Sequence, residues 1–509
     1  MSSSMTRYAI LTIILSLAII SLLLASTVSA AVNAPLTTSE WVHFTLWKLE
    51  ANGLTGQIFA SSRPFEREEI ALIVADMKER IQDGRLSPLP HELELINKLW
   101  AEFARDLRPE GLEARGLVAG EANYHNEWDS PSASFWGAAS FHPTPSFTLY
   151  EEVDIRKGRE VIGKEGKTAS KRTNTWRWDY TADFRKAYIR FQNHRLEVLL
   201  GREPLFWGPG YGGSLIVSDN SPAFDMVLLQ ARFGPVKAIA FSAMLDKMWH
   251  EEPRRYLASR YLSGHRIDWI VSDRIELGLS ELILYGGEAR DMELQYINPL
   301  LPYYANQWNS DLDDNVLVSA DFAVRPVDRL KIYGQFLVDD YNYTDHDPHA
   351  LGYIAGLYLS DSLGIPGTDF RAEYTRIDTW TYTHLEQENQ FTHFGWVIGH
   401  HLGPDADQIF VELSQMINVD TRFKVTYAFE RQGSRTVADR FRGEDYKRMK
   451  FPSGAVEQQH SIGLQLLWEP LRGPRVNVSW QRVFTRNQHT TAPKSGSSIT
   501  AGFLVGFAK

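Results

Sequence analysis

The chain has 509 residues, of which 63 are acidic and 53 basic, a net charge of −10. That balance excludes a general nucleic-acid binder, which carries a basic footprint. The lack of any cysteine excludes disulfides, thiolate-bound metals, cysteine nucleophiles and a lipidated N-terminal Cys, and a mean hydropathy of −0.29 excludes a bundle of membrane helices.

At the N-terminus, Arg7 precedes an apolar run from Tyr8 to Leu24 and then "ASTVSA". Val28-Ser29-Ala30 is a small-residue cleavage site, which predicts a signal peptide over 1–30 and a mature chain from near Ala31. An uncleaved anchor is the alternative. No second apolar run of that length follows, so the exported chain crosses a membrane only as a barrel. Residues 31–115 are predicted as an N-terminal helical segment. Ile70, Ile73, Val74, Met77 and Ile81 share one helical face. Leu93, Ile96, Leu99, Trp100, Phe103 and Leu107 share another. Three short amphipathic helices make a small bundle that carries no chemistry.

From about Gly116 the period becomes two. Phe423, Val425, Tyr427 and Phe429 alternate with Arg422, Lys424 and Thr426. Leu330, Ile332, Phe336 and Val338 alternate with Lys331, Tyr333, Gln335 and Asp339. Such runs, roughly ten residues each, suit a tilted crossing of a bilayer. Tight turns (193–194, 234–235, 271–274, 325–329, 418–421) alternate with long segments (157–175, 203–222, 247–259, 286–313, 434–457, 486–496). A transmembrane barrel alternates in this way, with short periplasmic turns and long outer loops. A raw count gives about nineteen runs. With both ends periplasmic the number is even, and giving 378–406 wholly to an outer loop leaves about eighteen. The predicted fold is all-β: a closed transmembrane antiparallel barrel of about eighteen strands over 116–509, with the small helical bundle on its periplasmic side. A soluble propeller is the alternative, but no blade-length repeat is visible.

The face assigned to the lumen holds Tyr188, Arg190, Gln230, Arg232, Lys331, Gln335, Lys424 and Glu430. This is a wet, mixed-charge interior, unsuited to a hydrocarbon cargo. Three long loops combine rings with Asn, Asp and Arg: "GREPLFWGPGYGGSLIVSDNSPAFD" (201–225), 294–315 and 379–408. Rings stack on sugar C–H faces while the polar groups bond hydroxyls. Membrane-interface belts or a rigid plug would use the same residues. His393, His400 and His401 near Asp405 and Asp407 read as loop hydrogen-bonders. Segment 338–349 lacks the Gly and final Glu of a calcium loop. No carboxylate spacing singles out a glycosidase pair. No catalysis, metal or cofactor is expected.

Several stretches together resemble the Wzi-like capsule-assembly proteins of the Gram-negative outer membrane. They are "GREPLFWGPGYGGSLIVSDN" (201–220), "HRIDW" (265–269), "LGLSELILYGG" (277–287), "YINPLLPYYANQ" (296–307) and "GHHLGPDADQ" (399–408), with a helical entry over 49–70. The resemblance covers nearly the whole mature chain. One departure is the C-terminus, where Phe507 is followed by Ala508-Lys509 rather than closing the last strand. The resemblance implies a barrel of about eighteen strands with outer loops that occlude its pore. It also implies a non-catalytic lectin that anchors or organises capsular polysaccharide or exopolysaccharide. The sugar is then expected where 201–220, 294–315 and 379–408 converge. Trp207, Tyr211, Tyr304 and Trp308 would stack on it, Arg202 would offer a planar donor fork, and Asp219, Asn220, Tyr303 and Asn309 would complete the set. The expected partners are polysaccharide and outer-membrane lipid, with no nucleic acid, and the expected state is a monomer. A diffusion channel or purely structural barrel remains the other reading. In the first loop, Gly208, Gly210, Gly212 and Gly213 are expected to supply positive φ.

Overall fold

A computed structural model of the chain describes residues 40–56, 58–107, 111–125, 127–128, 132–157, 180–250, 254–310, 313–341, 348–443, 449–487 and 494–508. The expected signal peptide lies outside them.

Three helices come first: α1 (Glu40–Ala51), α2 (Arg67–Gln82) and α3 (Pro90–Phe103). Pro90 starts α3, where its missing N–H would have had no partner. The Glu92 carboxylate accepts the Leu89 N–H at 2.6 Å, which closes that end. The apolar stripes bury Leu46 and Leu49 of α1, Ile70, Val74 and Met77 of α2, and Ile96, Leu99 and Phe103 of α3 in one cluster.

Eighteen long strands follow. They are β1 (Gly111–His125), β2 (Ser132–Thr144), β3 (Phe147–Lys157), β4 (Tyr180–Gln192), β5 (Leu196–Glu203), β6 (Phe224–Phe233), β7 (Val236–Met244), β8 (Tyr256–Ser272) and β9 (Ile275–Glu288). Then come β10 (Asn315–Val327), β11 (Leu330–Asp340), β12 (Ala350–Leu359), β13 (Thr368–Ile377), β14 (Ala406–Asn418), β15 (Thr421–Gln432), β16 (Glu457–Trp468), β17 (Arg475–Asn487) and β18 (Lys494–Ala508). Each pairs antiparallel with its chain neighbours, and β1 also pairs with β18, from Arg115↔Ala508 to His125↔Ser498. The first strand begins at Gly111, ahead of the expected Gly116. The expected number of strands is found: segment 378–405 contains a single helical turn, Gln387–Asn389, and the short hairpin Thr392–His393 against Trp396–Val397 but no strand of the wall, so it is a loop and the long strands number eighteen.

Period-two alternation sorts the side chains. Leu200, Val227, Ile267, Leu279, Phe322 and Ile409 face outward and are exposed, which makes an apolar belt. Arg190, Lys331, Gln335, Lys424 and Glu430 face inward and are buried, as the pattern predicts. Short turns gather at one end of the sheet and long loops at the other. The helices stand at the short-turn end. Lys48 of α1 bonds Asp361 and Asp369 at 2.9 and 2.6 Å. Glu50 meets Lys331 at 2.7 Å, and Lys98 of α3 meets Asp420 at 2.8 Å. Glu66 and Glu69 pair with Arg190 and Arg232. These contacts tie the helices to strands and turns spread around the sheet.

Candidate functional site

After β5 the chain turns into the lumen. Phe206 and Trp207 pair with Arg63 and Ser62, a two-residue ribbon made with the N-terminal segment. The Gly208 N–H donates to the Ser61 carbonyl at 2.7 Å. Gly208 sits at φ +143°, and a Cβ there would stand 2.7 Å from Gln335 Oε1. Gly210 has ordinary φ; it is needed for room, because a Cβ would lie 2.1 Å from the Gly213 carbonyl. The expectation of positive φ at all four glycines is therefore corrected: Gly210 and Gly212 do not have it. The Glu373 carboxylate accepts the N–H groups of Tyr211 and Gly212 at 2.7 and 2.9 Å. The Tyr211 hydroxyl donates to Glu412 at 2.9 Å, and the Arg371 guanidinium lies 3.6 Å from its ring centre.

Two further layers meet this loop. From the short-turn end, Trp47 of α1 brings its ring edge-on to Tyr211, with centroids 6.2 Å apart. From the long-loop end, 378–405 folds over Leu215, Ile216 and Val217 with Tyr382, Phe391, Ile398 and Leu402, all buried. Ser218 N–H donates to the Ile398 carbonyl at 3.0 Å, and Tyr382 Oη to the Leu215 carbonyl at 2.6 Å. Fully burying one such aliphatic side chain stabilises by roughly 1.5–3 kcal/mol, so lifting this lid is costly. A lumen crossed by three stacked layers does not read as an open diffusion channel.

The outer loops are pinned to one another. Asp405, at φ 61°, accepts Thr379 Oγ1 at 3.0 Å, Arg435 N–H at 3.2 Å, and Ser453 N–H and Oγ at 2.8 and 2.6 Å. His393 pairs with Asp246 at 3.1 Å. His400 is wholly buried with its ring stacked on His401. Burial, and then the neighbouring His401, push the His400 imidazole well below its usual pKa. The Leu402 N–H donates to His400 Nδ1 at 3.3 Å, which suits the neutral ring. The histidines and aspartates of this stretch thus have separate structural roles. Elsewhere, His250, Glu386 and Glu388 stand within reach of one cation, as do His91, Glu92 and Asp361. In both groups a carboxylate already serves other donors: Glu388 takes His250 and Tyr256, and Asp361 takes Lys48.

The residues expected to bind sugar are not brought to one place. Trp207 is 0% exposed, with Phe241 edge-on to its ring, so neither face is open to a ligand. Tyr211 is held inside the plug by the contacts above. Asn220 Nδ2 donates to the Val397 carbonyl at 2.8 Å, which ties the inward loop to its lid. Asp219 beside it is exposed and takes Ser218 Oγ at 3.1 Å. Arg202 lies on the outward face of β5, forked onto Asp225 at 2.7 and 2.9 Å. Tyr303 is buried against Tyr296 and Tyr285 on the outside of the wall, and Tyr304 beside it is 43% exposed. The side chains of Trp308 and Asn309 lie outside the described residues. Only loops 201–220 and 379–408 converge. The body of 294–315 lies over the outer wall, and its end alone reaches the rim, where Asn315 Nδ2 donates to the Asn389 carbonyl at 2.9 Å.

Sequence reasoning passed over the rings that remain open at the long-loop end. Trp249 is 48% exposed with the Arg255 guanidinium 4.5 Å from its ring centre. Tyr341 is 50% exposed and stacked on His349 at 4.4 Å. A signal was present, since "MWHEEPRRY" and "DYNYTDHDPH" both set a ring beside charge in a long connection.

This architecture defines an outer-membrane β-barrel whose lumen is occupied by its own loops and N-terminal helices. The family model described as "Capsule assembly protein Wzi" matches residues 102–494, and the chain belongs to that family. Among solved structures it is similar to Wzi of Escherichia coli, described as "an Outer Membrane Protein Involved in Group 1 Capsule Assembly" and "a Carbohydrate Binding Beta-Barrel". That match has 16% identity and a TM-score of 0.63, and covers 94% of this chain and 99% of that one. OpdK of Pseudomonas aeruginosa matches at 11% identity and TM-score 0.46, covering 78% of this chain and 99% of that one. OccD3 (OpdP) of Pseudomonas aeruginosa matches at 9% identity and TM-score 0.47, covering 79% and 92%. No curated protein sequence matches. The chain is a Gram-negative outer-membrane protein of the capsule-assembly class.

Proposed function

We propose that this protein is a non-catalytic lectin that holds capsular polysaccharide or exopolysaccharide on the cell surface. In this reading it is a closed, monomeric barrel. The short-turn end and the helical bundle face the periplasm, and the long loops face outward. The observation that carries the reading is the occupied lumen. With three layers across the bore, the work of the molecule falls to its outer face. The family supplies the ligand class, and its solved relative is described as carbohydrate-binding.

The stacking faces are proposed to be Trp249 and Tyr341 rather than Trp207 and Tyr303, because only the former pair keeps open ring area. Arg255 and His349 beside them offer donors to hydroxyls or uronate carboxylates. A single sugar should bind weakly, since a shallow polar site gains little beyond the ordering cost. A polymer engages many repeats at once and binds far more tightly. The test is a Trp249→Ala, Tyr341→Ala double variant, assayed for surface-bound polysaccharide and for heat-modifiable folding. Each ring should be worth about 1 kcal/mol per repeat. Polymer retention should therefore fall several-fold with folding intact. Full retention by a correctly folded double variant would place the site elsewhere.

A further inference from the structure

The connection between β9 and β10 does not rise above the barrel. It turns back down the outside of the wall. A helical turn, Leu294–Ile297, and helix α4 (Tyr303–Ser310) lie over β7, β8 and β9. Beneath them, Ile283 and Tyr285 of β9 point outward yet are fully buried. The polar pair His265–Glu281, in contact at 2.9 Å, also points outward and is largely covered. Glu281 stands seven positions inside Glu288, the outer end of β9, which is roughly 23 Å along the strand. The segment therefore reaches well into the height at which the rest of the wall is apolar and exposed.

Its chemistry suits a medium without water. From Leu294 to Ser310 there is no charged residue. Leu294 and Leu300 are 83% and 87% exposed, and Ile297 points out beside them. Irregular backbone in hydrocarbon is tolerated only where its polar groups are satisfied. Here every N–H from Leu300 to Tyr304 has an acceptor. Asn298 Oδ1 takes Leu300 at 3.1 Å, and the Asn298 carbonyl takes Leu301 at 3.3 Å. Pro302 has no N–H to satisfy. The Glu281 carboxylate takes Tyr303 and Tyr304 at 3.0 and 2.8 Å. The same carboxylate would face lipid if the segment lifted, which is unfavourable.

We infer that residues 293–304 form a flap seated in the outer leaflet, whose outward side chains contact the acyl chains of membrane lipid. This rests on the orientation proposed above. The flap is continuous with the belt that Ile267, Trp269 and Leu279 present on the same strands, and that continuity identifies lipid as its occupant.

The chain has no cysteine, so single-cysteine probes are unambiguous. Three variants are compared: Leu300→Cys, Val227→Cys in the belt, and Leu385→Cys on the exposed lid loop. Each is labelled with an environment-sensitive fluorophore in vesicles of brominated phosphatidylcholine, and each is probed in intact cells with a membrane-impermeant maleimide. Heat-modifiability checks folding. The expected result is that L300C is quenched by bromolipid as strongly as V227C and escapes the maleimide, while L385C is labelled. Labelling of L300C to the level of L385C would overturn the flap. So would disulfide-linked dimers of L300C without bromolipid quenching, which would assign the surface to a second copy. Quenched L300C with unlabelled L385C would support the lipid seat and reject the orientation instead.

Discussion

Asp405 joins two loops through one carboxylate, and its left-handed backbone explains why the Gly403-Pro404-Asp405 turn is so tight. Replacing it with Ala leaves the N–H groups of Arg435 and Ser453 without their acceptor in a buried site. Hydrogen bonds to a charged group are worth on the order of 1.5–3 kcal/mol. Asp405→Ala should therefore loosen the lid by about 3 kcal/mol and expose 433–443 to trypsin. Limited proteolysis with a heat-modifiability control checks this; unchanged resistance would mean that the loops are held elsewhere. Other distinctive residues also prove to be structural. Arg266 of "HRIDW" is fully buried and bonds Asp268 at 2.7 Å, and Ser280 and Asp321 at 2.9 and 2.6 Å. Gly278 of "LGLSELILYGG" leaves space for it, since a Cβ there would stand 2.3 Å from the Arg266 guanidinium. Several stretches that carry the family resemblance thus lock strands together. Their distinctiveness was legible in the sequence; that it reflects packing rather than ligand contact was not, because the partner Asp321 lies 55 positions from Arg266.

At the scale of elements, the strands were readable and the loops were not. Period-two alternation sorts a strand against lipid on one face and polar lumen on the other, so face and number follow from local pattern. A loop rich in Tyr, Trp, Asn and Gly has no such period. The same composition builds an inward plug at 204–223, a lid at 378–405 and a wall flap at 293–304, and only long-range partners such as Gln335, Leu215 and Glu281 decide among them. The lid carries its own pH dependence. His400 is neutral when the lid is shut, with its pKa pushed well down by burial. Lifting the lid restores the usual value near about 6.5. The open state then binds a proton that the shut state refuses. Closure is therefore at full strength above about pH 6.5 and weakens as pH falls through that value. The protection of backbone amides at 396–402 against hydrogen exchange, taken relative to the intrinsic rate at each pH, should fall between about pH 7 and about pH 5. His400→Gln should flatten that dependence, and an equal pH response in the variant would remove His400 as its source.

For the whole molecule, the decisive arrangement is that the bore is filled from both ends by segments far apart in sequence. The ribbon of 62–63 with 206–207, and Trp47 against Tyr211, join the N-terminal helices to the first inward loop. A loop-only plug would leave a pore once 204–223 was deleted. Two plugs make a different prediction. Deleting 205–221 removes the middle layer, yet the helices stay tied by Lys48 to Asp361 and Asp369, by Glu50 to Lys331 and by Lys98 to Asp420. Several of these ions are buried, and a buried pair broken on one side costs about 3–5 kcal/mol, so the helices hold their place. Steady conductance in planar bilayers should therefore be absent in the intact protein and remain small after the loop deletion. It should rise to porin-like values only when residues 40–103 are removed as well, since the loop deletion has already taken away Leu215–Val217, on which the lid rests. Porin-scale conductance from the single loop deletion would show that the helices do not seal the short-turn end. Large conductance from the intact chain would return the molecule to the class of diffusion channels.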